Sequence, residues 1–255
     1  MKRRIRAMAE NRKDKNILCS AMPFAAQEAY KRLRTNILFS FSAEDNDSEC
    51  HVIGITSPDP ANGKSTVAIN LSYVLAEAGS RVVLIDGDMR KPALHEKLEL
   101  NQTPGLSNLV SGVNPGQVAQ RFTDNDVSFM VVTAGDIPPN PSELLQSDKM
   151  KALLEGLRTK TNFIIIDLPP VSAVTDAQAI SKLADGMILV LRSGHCDADM
   201  VAATLRQFEL SKAKVLGFVL NGAELVRSKK SGYGYGYGSY GDYKNYGYYK
   251  SADNK

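Results

Sequence analysis

The stretch Val52-Ile53-Gly54-Ile55-Thr56-Ser57-Pro58-Asp59-Pro60-Ala61-Asn62-Gly63-Lys64-Ser65-Thr66 decides how the rest of the chain is read. A β-prone apolar run breaks into a turn-rich loop, the loop ends in Gly-Lys-Ser-Thr, and an amphipathic run from Val67 to Ala78 follows. Strand, tight loop and helix is the setting that a phosphate-binding loop requires. The first N–H groups of a helix have no intrahelical partner and carry the positive end of the helix dipole, so an anion is held there. Lys64 is placed to reach the β- and γ-phosphates, and the Ser65 hydroxyl to face Mg2+. The usual form of the loop is G-x-x-x-x-G-K-[ST]; here Pro58 occupies the first glycine position.

Two further runs extend the reading outward. Val82-Val83-Leu84-Ile85-Asp86 leads into Gly87-Asp88-Met89-Arg90, and Phe163-Ile164-Ile165-Ile166-Asp167 leads into Leu168-Pro169-Pro170. Each is a continuous apolar segment ending in a carboxylate, the pattern of a parallel strand buried on both faces. In such sheets ligands gather at the carboxyl ends of the strands, so Asp86, Asp88 and Asp167 are expected to converge where the loop sits.

The αβ rhythm continues on both sides of these motifs. Strands are predicted near 51–56, 81–86, 128–133, 162–167, 186–191 and 214–220, and helices near 64–78, 141–157, 174–184 and 198–210. Thr103 to Asp126 reads as short helices and turns. From Phe24, the residues Tyr30, Leu33, Ile37 and Phe41 recur at helical spacing, with Glu28, Lys31 and Arg34 in a row on another side. That row reads either as a solvated face or as a set of ion pairs for a neighbouring subunit. Asn221 closes the last strand, either as a turn former before Gly222 or as a group facing a base edge.

Composition limits the alternatives. The chain has 255 residues, 43% hydrophobic and 23% charged, with a net charge of +3, which suits one α/β domain with short extensions and does not call for nucleic acid. The basic start, with Lys2, Arg3, Arg4, Arg6, Arg12, Lys13 and Lys15, reads as a solvated arm or as a weak contact with an anionic membrane face. No apolar run is long enough for a transmembrane helix. Cys19, Cys50 and Cys196 are scattered, which fits a reducing compartment, and His51, His95 and His195 are expected to stand alone.

The C-terminal segment is the most unusual. Tyr233, Tyr235, Tyr237, Tyr240, Tyr243, Tyr246, Tyr248 and Tyr249 are eight of the ten tyrosines in the chain, separated only by Gly, Ser, Lys, Asp and Asn. Such a stretch buries too little apolar surface to offset ordering, so it is expected to be disordered. It reads as a sticky aromatic tail or as a set of phosphate acceptors. Each phosphotyrosine would add about −1.5 to −2 charge.

Together these features resemble a bacterial tyrosine kinase of the kind that accompanies capsule or exopolysaccharide synthesis. More narrowly, the chain is similar to the stand-alone cytoplasmic form whose membrane-spanning partner is a separate protein. The resemblance runs from about residue 24 to 250 and rests on the loop, on Asp86-x-Asp88-x-Arg90, on Asp167-x-Pro169-Pro170 and on the tyrosine cluster. It implies an α/β P-loop NTPase fold, a mostly parallel central sheet with helices on both faces. It divides the chain into a mobile basic arm (1–23), a kinase domain with an oligomerisation helix (24–228) and a tyrosine-rich tail (229–255).

The resemblance also implies roles. The cofactors are ATP and Mg2+. The backbone of Pro60, Ala61, Asn62 and Gly63, with Lys64, holds the phosphates; Ser65 binds Mg2+ directly, Thr66 sits near the α-phosphate and Asn221 near adenine. Asp86, Asp88 and Asp167 hold the metal or activate the acceptor, with the base either Asp86 or Asp88; Arg90 contacts phosphate or an adjoining subunit. The Glu28, Lys31, Arg34 row aligns with an oligomerisation helix, so the chain is expected to form a ring with itself and to phosphorylate its own tail. Lys31 stands where the family has Arg and lacks the bidentate fork. Further implied partners are a transmembrane activator, protein-tyrosine substrates and a cognate phosphatase, with the kinase cytoplasmic and recruited to the inner membrane face. The same fold group contains MinD- and ParA-like positioning ATPases, the alternative reading. Those carry a signature lysine where Asp59 stands. The kinases have a glycine where Ala61 stands, and a positive φ there would cost about 1 kcal/mol.

Overall fold

The computed structural model describes residues 23–42, 50–113 and 116–223; the basic arm up to residue 22 and the tyrosine cluster lie outside the described residues. One sheet contains β1 (His51–Thr56), β2 (Val82–Asp86), β3 (Ala119–Asp124), β4 (Val127–Val132), β5 (Phe163–Asp167), β6 (Gly186–Arg192) and β7 (Val215–Asn221). Their order is β3-β4-β2-β5-β1-β6-β7, and every neighbouring pair is parallel except β3 and β4. The helices are α1 (Phe24–Ser42), α2 (Lys64–Glu77), α3 (Leu94–Leu98), α4 (Leu106–Ser111), α5 (Pro141–Gln146), α6 (Asp148–Arg158), α7 (Asp176–Ser181) and α8 (Ala198–Leu210).

The strands at the centre are apolar on both faces because both faces are covered. In β1, Ile53 and Ile55 point into one core and Val52 into the other; in β5, Phe163 and Ile165 alternate with Ile164 and Ile166 in the same way. The first core is closed by α1 and α2, through Ile37, Phe41, Val67, Leu71 and Leu75. The second is closed by α4 to α8, through Leu106, Leu145, Leu154, Ile180 and Phe208. Gly54 lies where a Cβ would meet Met187 Sδ at 2.5 Å, so the Met187 side chain fills the space beside β1 that a side chain there would need.

The helical spacing read from Tyr30, Leu33, Ile37 and Phe41 is the docking face of α1. Ile37 and Phe41 are buried, while Tyr30 and Leu33 pack against the same core. Burial pushes the Tyr30 phenol up to about 12, partly opposed by a hydrogen bond with Asn70 of α2. Phe41 stacks on His51, with centroids 3.9 Å apart and planes inclined by 9°.

The structure departs from the sequence reading in two places. The segment read as short helices and turns contains α4 but also β3, an antiparallel edge strand. In β3 only Phe122 and Asp124 are buried, so it lacks the apolar run that marked the central strands. The helix expected over 141–157 is two helices. Ser147 between them is extended (φ −69°, ψ 154°), and its Oγ accepts a hydrogen bond from Met150 N at 3.2 Å, capping α6.

Candidate active site

The loop between β1 and α2 is built for an anion. Gly63 is the N-cap of α2, with φ 88° in the left-handed region. A Cβ there would come within 2.1 Å of Asn221 Nδ2, so glycine is required by both conformation and space. Ala61 also has positive φ, 65°, the strained geometry its sequence context raised. Among the described residues, the backbone N–H groups of Ala61, Asn62, Gly63, Lys64 and Ser65 donate no hydrogen bond, and the first turn of α2 carries no acidic residue. That is a cradle of donors at the positive end of a helix of about four turns. Thr66 follows, half-buried, and Pro60 is exposed at the loop's edge.

The carboxylates meet this loop because of strand register. Asp86 and Asp167 pair directly across β2 and β5, and Asp167 is also in register with Ile55 of β1, just before the loop. Lys64 Nζ donates to Asp88 Oδ2 at 2.9 Å. Asp88 Oδ1 accepts from Lys91 N at 3.0 Å. Asp86 braces the same loop: Oδ1 accepts from Asp88 N at 3.2 Å, and Oδ2 from Ala93 N at 3.2 Å and Leu94 N at 3.1 Å. Asp167 is fully buried, and neither of its oxygens has a hydrogen-bond partner.

Burial dominates the electrostatics of the acids. It pushes the Asp86 carboxyl up to about 8, helped by the nearby charge of Asp167 and opposed by the amides of Leu94 and Ala93. Burial likewise raises Asp167, opposed by the Lys64 ammonium and the Ser65 hydroxyl. Burial works against the Lys64 ammonium, but Asp167, Asp88 and Asp86 outweigh it and hold its pKa above the ordinary lysine value. A buried carboxylate with two unsatisfied oxygens is costly by itself and is the arrangement a cation would relieve. The donors in reach, Ser65, Asp86, Asp88 and Asp167, are hard oxygens and fit Mg2+. Among the described residues no three His, Cys, Asp or Glu side chains are grouped to hold a metal alone. Mg2+ does not need them, since it takes one or two carboxylates and fills its shell with water and substrate phosphates.

Two groups around the site differ from the sequence reading. Arg90, expected at a phosphate or a neighbouring subunit, is tied to Asp176 at the start of α7: Nε donates to Oδ2 at 3.0 Å and Nη2 to Oδ1 at 3.3 Å. Nη2 also reaches Ser142 Oγ at 3.2 Å, and Ser142 donates to Asp176. His195, expected to stand alone, pairs through Nε2 with Asp59 Oδ2 at 3.0 Å. Asp176, Arg192, His195 and Cys196 were not legible as site residues, because each reaches the site from a strand or helix end distant in sequence.

The remaining expected residues take separate places. Asn221, at the end of β7, donates from Nδ2 to the Asn62 carbonyl at 2.9 Å. Glu28 and Lys31 pair with each other at 3.1 Å on α1. Arg34 donates from Nη1 to the Val74 carbonyl at 2.7 Å and lies 3.8 Å from Glu77, at the C-terminal end of α2. The tyrosines from Tyr233 to Tyr249 lie outside the described residues.

Comparison with known proteins agrees with this geometry. Residues 49–244 match the model of the ParA family, described as the NUBPL iron-transfer P-loop NTPase. The tyrosine-protein kinase YwqD of Bacillus subtilis is 38% identical over 226 residues, 88% of this chain and 92% of that protein. The solved kinase domain of Escherichia coli tyrosine kinase ETK matches with a TM-score of 0.71 and 32% identity, covering 83% of this chain and 80% of that one. The chimerical protein CapA2B2 matches with a TM-score of 0.69 and 40% identity, covering 76% and 83%.

Proposed function

This chain belongs to the ParA-type P-loop NTPases and, among them, to the bacterial tyrosine-protein kinases, and we propose that it transfers the γ-phosphoryl group of ATP to tyrosine hydroxyls, first in its own C-terminal cluster. The observation that carries this reading is the meeting of Lys64 with three buried acids, Asp86, Asp88 and Asp167, at one edge of the sheet. Phosphoryl transfer passes through a loose transition state, so a site mainly has to position groups and neutralise charge. The amide cradle of residues 61–65 receives the phosphates, and Lys64 turns from Asp88 to the β- and γ-oxygens. That exchange frees Asp88 Oδ2. Asp86, with its oxygens engaged by three amides, keeps the loop rigid. Asp88 is therefore the better placed of the two to accept the proton of a phenol whose pKa is about 10. Ser65 and Asp167 are the nearest oxygens for Mg2+, which when bound neutralises charge on the transferring phosphate.

Eight tyrosines follow the described domain, and they are the first substrates in this reading. Subunits assemble through the Glu28, Lys31, Arg34 helix into a ring, and each tail is modified by a neighbour. A separate membrane protein recruits the kinase to the inner face of the membrane and completes its activity. One similar solved structure is of a chimerical protein, CapA2B2, and a chimera of that kind is in keeping with a second component. Capsule or exopolysaccharide synthesis is the process it controls, and a cognate phosphatase resets the tail.

The test is direct. Purified protein is incubated with Mg2+ and ATP labelled on the γ-phosphate, and label is mapped by mass spectrometry. Label on Tyr233 to Tyr249, absent in Lys64→Met, is the expected result. Free phosphate with an unlabelled tail would instead identify a positioning or partitioning ATPase. The position of that group's signature lysine is held here by Asp59, which is engaged with His195.

A further inference from the structure

The turn after β6 grips the outer side of the phosphate loop. Asn62, 1% exposed, is its centre. Asn62 Oδ1 accepts from Arg192 N at 2.7 Å and from Cys196 Sγ at 2.9 Å. Its Nδ2 donates to the Asp59 carbonyl at 2.8 Å and to the Asp59 carboxylate. Asp59 Oδ1 also takes Cys196 Sγ at 3.4 Å, and Oδ2 takes His195. Arg192 Nη1 reaches the Ala61 carbonyl at 3.5 Å. The turn is itself fixed, through His195 N to Arg192 O at 3.1 Å and Ser193 N to Asn221 O at 2.9 Å.

We propose that the turn Arg192–Cys196 is a clasp that holds the phosphate loop in its anion-binding curve, and that His195 and Cys196 are positioning residues for the nucleotide. The proposal rests on the nucleotide-binding reading of the same site. The need for a clasp lies in Ala61, whose side chain opposes the positive φ it adopts. A glycine would hold that geometry unaided. Here the neighbouring Asp59 and Asn62 are pinned from outside, so relaxation of residue 61 would have to break the clasp contacts. Those contacts engage the loop's outward acceptors and leave its N–H groups to the phosphates. The clasp and the strained alanine are two halves of one device.

The experiment titrates the full chain with Mg-ADP by calorimetry and records each variant's Tm. His195→Ala with Cys196→Ala should weaken Mg-ADP about tenfold or more, the loss of one or two hydrogen bonds' worth of preorganisation. Cys196→Ser keeps a donor for Asn62 and should stay within about twofold of the parent. Adding Ala61→Gly to the double variant should recover most of the lost affinity, a rescue that a merely structural role would not produce. If the double variant is too unstable to titrate, Asp59→Ala, which removes the carboxylate that His195 and Cys196 meet from the loop side, is measured with and without Ala61→Gly. Unchanged Mg-ADP affinity in a folded clasp variant, or equal weakening with and without Ala61→Gly, would overturn the proposal. ADP binding does not involve phosphoryl transfer. A chain that binds Mg-ADP through the clasp yet never labels tyrosine would sink the kinase reading and leave the clasp standing.

Discussion

Asp167 has both carboxylate oxygens buried without a hydrogen bond, while Asp86 beside it has both satisfied. Two adjacent carboxylates at one strand edge are thus held in different ways, one by the backbone and one open to a cation. Asp86 carries a pH signature. Its carboxyl is ordinarily near 3.8 and is pushed up to about 8 in the fold. A raised folded pKa means the protonated form is favoured in the native state. Its stabilising effect is complete below the unfolded value and is lost as pH rises through the folded one. In metal-free buffer, Tm is therefore expected to fall between about pH 4 and 8, and Asp86→Asn to flatten that fall, since the amide does not titrate. Parallel Tm profiles for parent and variant would show that Asp86 is charged throughout. Saturating Mg2+ with ADP should shrink the slope in the parent, because a cation stabilises the charged carboxylates.

The acidic loop, α5 and α7 are joined through one buried side chain, Asp176, which is 0% exposed and paired with the 41% exposed guanidinium of Arg90. Removing the exposed partner leaves the buried carboxylate with the Ser142 hydroxyl alone, so Arg90→Ala should lower stability by about 1 to 3 kcal/mol. Arg90→Ala with Asp176→Asn should lose less than Arg90→Ala alone, because the stranded charge is gone. Urea unfolding of the single and double variants measures the difference. A double variant no more stable than the single would mean that Arg90 acts by packing rather than charge. On the opposite face, α1 is anchored by Phe41, 6% exposed and stacked on His51. Phe41→Ala should cost about 3 kcal/mol or more, read in the same unfolding experiment. The edge strand β3 shows the limit of pattern reading at this scale. Its alternation is weak because its covered face carries Gln120 and Asp124 beside Phe122, whereas α1 was legible because its apolar stripe, Tyr30, Leu33, Ile37 and Phe41, repeats over about three turns.

At the scale of the molecule, the proposed ring is an electrostatic object. The chain carries +3, and eight phosphotyrosines would add about −12 to −16. Like charge on neighbouring tails would then oppose assembly. Light scattering should give a larger particle before incubation with Mg-ATP than after it, with Lys64→Met unchanged by the same treatment. A mass that does not respond to ATP would remove the switch while leaving the kinase intact. Arg34 bears on the same question. It donates within its own chain to the end of α2, so the row that would face a neighbour is already positioned by the fold of a single subunit.

Local chemistry by itself determined the phosphate loop, the two strand-end acid motifs, six of the seven strands and the α1 docking face. Each of these is written in adjacent residues, as a run of one polarity or a fixed spacing, and needs no distant partner to be recognised. Tertiary structure alone decided the rest. It sent Arg90 to Asp176, closed Asp59 and Asn62 under a turn that follows them by about 130 residues, and buried the Asp167 oxygens beside Lys64 and Ser65 without a formed hydrogen bond. Those contacts depend on strand order and register, which bring β2, β5, β1 and β6 side by side although they are far apart along the chain. Register is a property of the assembled sheet, and no single strand encodes which neighbour's side chain will meet its own.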